Sequence, residues 1–251
     1  MTASDARTAE LATRLEQVRG RLDAATAAAD RPRGDVDLLV VTKFFPADDV
    51  ARLIALGETQ FGESREPEAS RKVAALHADA DLDARFSAGA LAVDMIGSVQ
   101  TKKAKTVARW ARSVHSVDRE KLADRLGAEA RTALDTGDRH LPLGVFLQVS
   151  LDGDVSRGGV VEDGLEALAE RVAADDALRL RGLMTIAPLD GEPERWMAEM
   201  ARIRESFLAH HPDATELSAG MSGDLESAVA HGSTCVRVGT AIMGPRPILS
   251  Q

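Results

Sequence analysis

The chain has six lysines, and five of them (Lys72, Lys102, Lys103, Lys105 and Lys121) fall in polar helical patterns where a solvated surface role is expected. Lys43 differs. It follows the run Leu38-Leu39-Val40-Val41-Thr42 directly, which reads as a strand buried on both faces. Its amine therefore stands at the carboxyl end of a strand, where partial desolvation is expected to favour the neutral form. A neutral amine condenses with an aldehyde to form an imine. The alternative is a strand-end lysine that reaches solvent, and spacing alone leaves both open.

Two later turns suit a phosphate. In Leu217-Ser218-Ala219-Gly220-Met221-Ser222-Gly223-Asp224-Leu225-Glu226 a strand gives way to small residues and then to a helix start, where backbone N–H groups are free to hold an anion. In Val236-Arg237-Val238-Gly239-Thr240 the glycine lets the backbone approach a ligand and the threonine offers a hydroxyl. The competing reading is plain turn chemistry with a capping serine. Arg237 sits among apolar neighbours and needs a partner: a core carboxylate, or a ring nitrogen of a bound cofactor. His115 lies in another apolar strand, with core packing as its first reading and a polar wall of a ligand pocket as its second.

The elements that would position these groups alternate. A helix is expected over Thr8–Ala29. Strands are expected at Val36–Thr42, Thr59–Gly62, Val93–Gly97, Ser113–Val117, Leu143–Val149, Leu178–Ile186, Thr215–Ala219 and Thr234–Val238. Helices are expected between them at about 46–57, 65–77, 101–112, 119–136, 162–174, 194–210 and 224–231. Residues 79–92 show the weakest pattern. Eight strand–helix units in 251 residues fit a parallel (β/α)8 barrel better than an open doubly wound sheet. The loops after strands seven and eight are then where such barrels bind phosphate.

Composition removes other chemistries. There is no tyrosine, so no phenol can serve as acid or base. Cys235 is the single cysteine and reads as a small buried hydrophobe; it allows neither an internal disulfide nor a CxxC site. A formal charge of −9 argues against a general nucleic-acid partner, and the basic run 100–112 reads as a solvated helix face. His210-His211 reads as a helix end, and no zinc-ligand spacing is present. The amino-terminal residues form an amphipathic helix pattern rather than a signal peptide, and no stretch approaches a membrane span.

The blocks Val41-Thr42-Lys43, Phe61-Gly62-Glu63, Ile96-Gly97, Gln100-Thr101, His115-Ser116-Val117-Asp118, Gly182–Ala187, Ser218–Glu226 and Val236–Gly244 stand in an order that resembles the pyridoxal phosphate homeostasis protein family, over roughly Asp35 to Arg246. The resemblance implies a single-domain TIM barrel over 1–251, similar to the amino-terminal domain of alanine racemase (fold type III), with a leading helix at about 8–29 and the barrel at about 36–246. It implies pyridoxal 5′-phosphate as cofactor, held as a Schiff base on Lys43. Ser218, Ser222, Gly239 and Thr240 would hold the phosphate with backbone help near Met221, Ser64 would approach the 3′ oxygen, and Arg237 would face the pyridine nitrogen. A guanidinium there disfavours ring protonation and weakens the ring as an electron sink. The implied role is vitamin B6 homeostasis in the cytoplasm by a non-enzymatic monomer or weak dimer, with cofactor-dependent apoenzymes as candidate recipients and no metal, membrane or nucleic-acid partner.

The chain departs from the family pattern at Ser64, Pro67, Asp94 and Lys102, where Asn, Gln, His and Asn are usual. Two other readings keep the barrel. An amino-acid racemase would need a second base in place of the missing tyrosine, for which His115 is the candidate, and alanine racemases take that tyrosine from a second domain. A Schiff-base aldolase acting on a sugar phosphate would need an acid–lysine pair near Lys43, and none is visible in the sequence.

Overall fold

Short strands rich in Val and Leu pair in parallel with the strand that follows each of them, and the last pairs with the first. In the computed structural model, which describes residues 3–188 and 190–246, these are β1 (Asp37–Val41), β2 (Gln60–Glu63), β3 (Ala92–Met95), β4 (Ser113–Val117), β5 (Leu143–Val149), β6 (Leu178–Thr185), β7 (Glu216–Ser218) and β8 (Cys235–Val238). They close into a barrel in chain order, with Leu39 opposite Arg237 across the β1–β8 seam. The barrel expected from the eightfold alternation is therefore present. Residues 1–2, 189 and 247–251 of the expected domain lie outside the described residues.

The helices are α1 (Ala3–Ala28), α2 (Ala47–Ala55), α3 (Glu68–His77), α4 (Ala80–Ser87), α5 (Ala104–Trp110), α6 (Glu120–Asp135), α7 (Leu165–Ala173), α8 (Pro193–His210), α9 (Leu225–Ala230) and α10 (Thr240–Met243). Leu11, Leu15, Val18, Leu22 and Ala25 recur at three- and four-residue spacing along α1 and pack with Val236, Val238, Ile242 and Met243. The leading helix thus lies over the β8–β1 side. Gly57 ends α2 as expected: its φ is +92°, its N–H donates to Ile54 O, and the N–H of Glu58 donates to Leu53 O, a Schellman closure.

Two boundaries differ for identifiable reasons. The helix expected from Arg65 begins at Glu68, because Pro67 lacks an N–H and disfavours helical backbone before it. The weakly patterned stretch 79–92 holds a separate helix, α4, with no buried residue. An exposed helix leaves no apolar periodicity to read; it is capped by Asp79, which accepts from the N–H groups of Asp81 and Leu82 at 3.0 and 3.1 Å. Asp79→Ala is expected to cost about 1 kcal/mol, seen as a melting temperature lower by roughly 2–4 °C; an unchanged melting curve would show that the cap contributes nothing.

Most of the apolar mass lies between strands and helices, and the barrel interior holds a polar cluster beside Leu39, Phe146 and Met184. Val114, Leu217, Val236 and Val238 face the helices. Their neighbours along the strands, Ser113 and His115, Glu216 and Ser218, Cys235 and Arg237, point inward by strand alternation. Arg181 donates to both Glu216 carboxylate oxygens (2.7 and 2.6 Å) and to Ser113 Oγ (2.9 Å). Arg112 holds the fully buried Asp94 through two bonds and reaches Gln60 Oε1 at 2.8 Å. Arg112 is thus turned into the barrel end, so the run 100–112 is not one solvated basic face.

Candidate functional site

A cavity of about 480 Å³ opens at the carboxyl ends of the strands, within the size range of small-ligand sites. Seven of the eight residues singled out from the sequence line it: Lys43, Ser64, Met221, Ser222, Arg237, Gly239 and Thr240. Ser218 does not. It is fully buried at the end of β7, and its hydroxyl is engaged by His115 and Arg237.

Lys43 lies one residue beyond the end of β1 plus Thr42, in a turn, and is exposed. The partial desolvation expected of it is absent, because the turn carries it past the strand to the cavity mouth. The next residue, Phe44, has φ +72°, a conformation that costs a non-glycine residue on the order of 1–2 kcal/mol and that sets the direction in which the turn leaves β1. Lys43 Nζ is 5.9 Å from the Phe44 ring centroid, with the Arg246 guanidinium 4.0 Å from the same ring. Behind the turn, Thr42 is clamped. Its hydroxyl donates to Glu63 Oε1 (2.7 Å), Lys72 Nζ donates to that oxygen (2.5 Å), and Lys72 also donates to Thr42 O (2.8 Å). Glu63 is buried and the Lys72 side chain is only 10% exposed. Lys72 is therefore not the solvated helix lysine expected, since α3 turns it back over the end of β2. The acid–lysine pair not visible in the sequence exists, but it lies behind Lys43 and outside the cavity lining.

The two turns after β7 and β8 also line the cavity. Gly220 has φ +92°, and Ser222 and Gly223 follow it along the wall. The Met221 N–H is taken by Asp224 Oδ1 at 2.6 Å, so the expected backbone help at that position is committed within the chain. The hydroxyls of Ser222 and Thr240 make no side-chain hydrogen bond among the described residues, and both line the cavity. Arg21 on α1 donates to Ser222 O and to both Glu226 carboxylate oxygens, tying the turn to the leading helix. A Cβ at Gly220 would meet the Ala228 Cβ at 2.6 Å in a backbone conformation that L residues rarely adopt. Gly220→Ala is expected to lower stability by about 1–3 kcal/mol and to weaken inorganic phosphate binding; unchanged denaturant unfolding would refute the strain.

Arg237 crosses the cavity floor. Of the two partners foreseen, it has no carboxylate among the described residues: Nη1 donates to Ser218 Oγ and Nη2 to Thr185 O, each at 2.7 Å. Burial pulls its pKa down from the usual arginine value, with Cys235 and Asp224 opposing that shift. A guanidinium nearly buried on neutral acceptors is an uncompensated charge, and an anionic or lone-pair-bearing ligand in the cavity would offset that cost. His115 is 1% exposed and absent from the cavity wall, so it is a core histidine rather than a pocket wall, and it offers no base facing a substrate. Cys235 is buried as expected, and burial pushes its thiol up to about 12.

The fold and the site define a class: a closed parallel barrel with a lysine after its first strand and phosphate-suited turns after its seventh and eighth. Residues 14–247 match the family model for the alanine racemase amino-terminal domain. A protein of Mycobacterium bovis named pyridoxal phosphate homeostasis protein is 46% identical over 260 aligned positions, covering all of this chain and 98% of that one. This chain belongs to the pyridoxal phosphate homeostasis protein family. A structure of PipY from Synechococcus elongatus with PLP bound superposes with a TM-score of 0.74 at 29% identity, over 93% of this chain and all of that one. The alanine racemase of Corynebacterium glutamicum shares the fold, with a TM-score of 0.64 at 15% identity; this chain covers 62% of it.

Proposed function

We propose that this protein binds pyridoxal 5′-phosphate in the cavity at the barrel mouth and serves intracellular homeostasis of that cofactor without catalysing a reaction of its own. The observation that carries the reading is the convergence, in one cavity, of an accessible amine, two uncommitted hydroxyls on phosphate-suited turns, and a buried guanidinium lacking an anionic partner among the described residues. These three groups fit the aldehyde, the phosphate and the ring nitrogen of the cofactor. Family membership and the PLP-bound relative support the same ligand.

In this reading Lys43 Nζ would hold the cofactor at its aldehyde carbon, as a Schiff base formed with loss of water. Ser222, Thr240 and the backbone at Gly239 would hold the phosphate, and Ser64 also lines the cavity. Ser218 acts through Arg237 rather than on the phosphate. The bound cofactor would supply an electrophilic carbon and, in enzymes, an electron sink; Arg237 keeps the ring nitrogen from protonating and so withholds most of that sink. Among the described residues no helix is long and apolar enough to cross a membrane, and we place the protein in the cytoplasm as one domain, a monomer or weak dimer that passes cofactor to apoenzymes. The test is borohydride reduction of the protein mixed with pyridoxal 5′-phosphate, followed by peptide mass spectrometry. A reduced adduct on the peptide holding Lys43 is expected. No adduct, or an adduct spread over surface lysines, would sink the reading.

A further inference from the structure

Arg237 is not held by itself. Its Nη1 donates to Ser218 Oγ, and Ser218 Oγ lies 2.9 Å from His115 Nδ1. The other imidazole nitrogen, Nε2, is buried and forms no geometrically acceptable hydrogen bond among the described residues. The atom facing it is Asp94 Oδ2, at 3.4 Å. Asp94 is in turn gripped by Arg112. Five side chains from β3, the residue just before β4, β4, β7 and β8 thus form one line across the barrel interior to the cavity floor, and Asp94 stands where the family usually has His.

Hydrogen accounting gives the line a direction. Nε2 faces a carboxylate, which only accepts, so the proton belongs on Nε2. Nδ1 then carries a lone pair, and the Ser218 hydroxyl must donate to it. That leaves the Ser218 oxygen free to accept from Arg237. The opposite tautomer would set a lone pair against the Asp94 carboxylate and leave the Ser218 proton without an acceptor. We propose that Asp94 fixes His115 as the Nε2–H tautomer and, through Ser218, locks Arg237 in place beneath the ring nitrogen of the bound cofactor. Asp94, His115 and Ser218 are positioning residues; only Arg237 touches the ligand.

The charged groups facing His115 are Asp94 on β3, Arg112 just before β4 and Arg237 on β8, while Phe146 on β5 packs tilted against its ring at a centroid distance of 4.2 Å. Cys235 and Asp37 act on Arg112 rather than on His115. Burial pushes the His115 pKa down; Asp94 opposes this, and Arg237 and Arg112 add to it. The imidazole is therefore neutral at pH 7, as the line requires.

The part of the proposal that concerns the cofactor rests on the function proposed above, so the test has two arms. In the first, the histidine side chains of the protein without cofactor are observed by nitrogen-15 NMR, with His115 assigned by its loss in His115→Gln. A neutral Nε2–H ring from pH 6 to 8 is expected, giving way to mixed tautomers in Asp94→Asn. An Nδ1–H or charged ring at pH 7 overturns the line. In the second, the visible band of the cofactor-loaded protein is titrated with pH. In Ser218→Ala the Arg237 guanidinium loses its fixed acceptor and the ring nitrogen protonates more easily; that added positive charge disfavours the imine proton which the visible band reports, so the midpoint of the band falls by on the order of one pH unit, a tenfold change in proton affinity. Ser218→Thr restores it. A midpoint unmoved in fully loaded Ser218→Ala overturns the link to Arg237. Absence of a visible band in the unaltered protein overturns the cofactor reading instead, and the first arm then decides the tautomer line by itself.

Discussion

Lys43→Ala is expected to abolish the visible absorbance that appears when pyridoxal 5′-phosphate is added, while leaving the fold intact. Lys43 is exposed and makes no hydrogen bond among the described residues, so its removal should change unfolding free energy by less than about 0.5 kcal/mol. The phosphate turns remain, and equilibrium dialysis should still detect non-covalent cofactor that washes away. The informative competitor is Lys72, whose amine lies behind the same turn. It is held by Glu63 and by Thr42 O, and drawing it out to an aldehyde in the cavity would leave the buried Glu63 carboxylate without its cation, a costly state. Retention of the band in Lys43→Ala, with the adduct moved to Lys72, would show that Lys43 is not the attachment point.

The same pair shows where sequence reading succeeds and fails. Strand β1 was legible because Leu38 to Val41 is continuous, and Lys43 because it follows that run. The turns were legible because Gly220 and Gly239 stand at defined places after strands. Lys72 was not, because helix periodicity reports which face is apolar but not that a long polar side chain bends back over a neighbouring strand end. Arg237 was recognised as needing a partner, but the partner's identity depended on Ser218 and Thr185, 19 and 52 residues away. The polar cluster inside the barrel was invisible for a related reason. Asp94, Arg181 and Glu216 each look like surface residues at strand positions, and only closure of the barrel turns their faces toward one another. Ser218 was read onto the phosphate because it sits in the right block, whereas its burial turns its hydroxyl toward the interior.

The racemase and aldolase alternatives narrow on those same residues. The racemase needs a second base that faces the cavity, and His115 faces Asp94 and Ser218 behind it. The aldolase needs its acid–lysine pair in the cavity, and Glu63–Lys72 instead braces the turn that presents Lys43. Each candidate catalytic group is thus used as structure, which favours a protein that holds its ligand over one that transforms it.

Arg112→Met tests the electrostatics that the barrel interior depends on. Burial alone would push the Asp94 carboxyl up, but the Arg112 charge, the facing His115 imidazole and the Arg112 hydrogen bonds outweigh it and hold the group far below the usual carboxylate range. A depressed folded pKa contributes stability above the unfolded value of about 3.9, and that contribution fades as pH falls below about 5. Taking Arg112 away reverses the sign. The buried carboxyl loses its cation, its pKa rises above the unfolded value, and the folded state then binds more protons than the unfolded one. If His115 takes up a proton to replace the missing charge, the folded state again binds more, so both responses make stability fall as pH rises. Removing one partner of a buried pair costs about 3–5 kcal/mol. Because the Arg112 side chain is 36% exposed, the lower end applies, about 3 kcal/mol at pH 7, or a melting temperature lower by roughly 6–12 °C. Thermal and urea unfolding between pH 4.5 and 7.5 should show the gap between variant and parent widening with pH. Parallel curves across that range would mean that Asp94 is not held ionised by Arg112, and the charge assignment of the whole interior line would have to be redrawn.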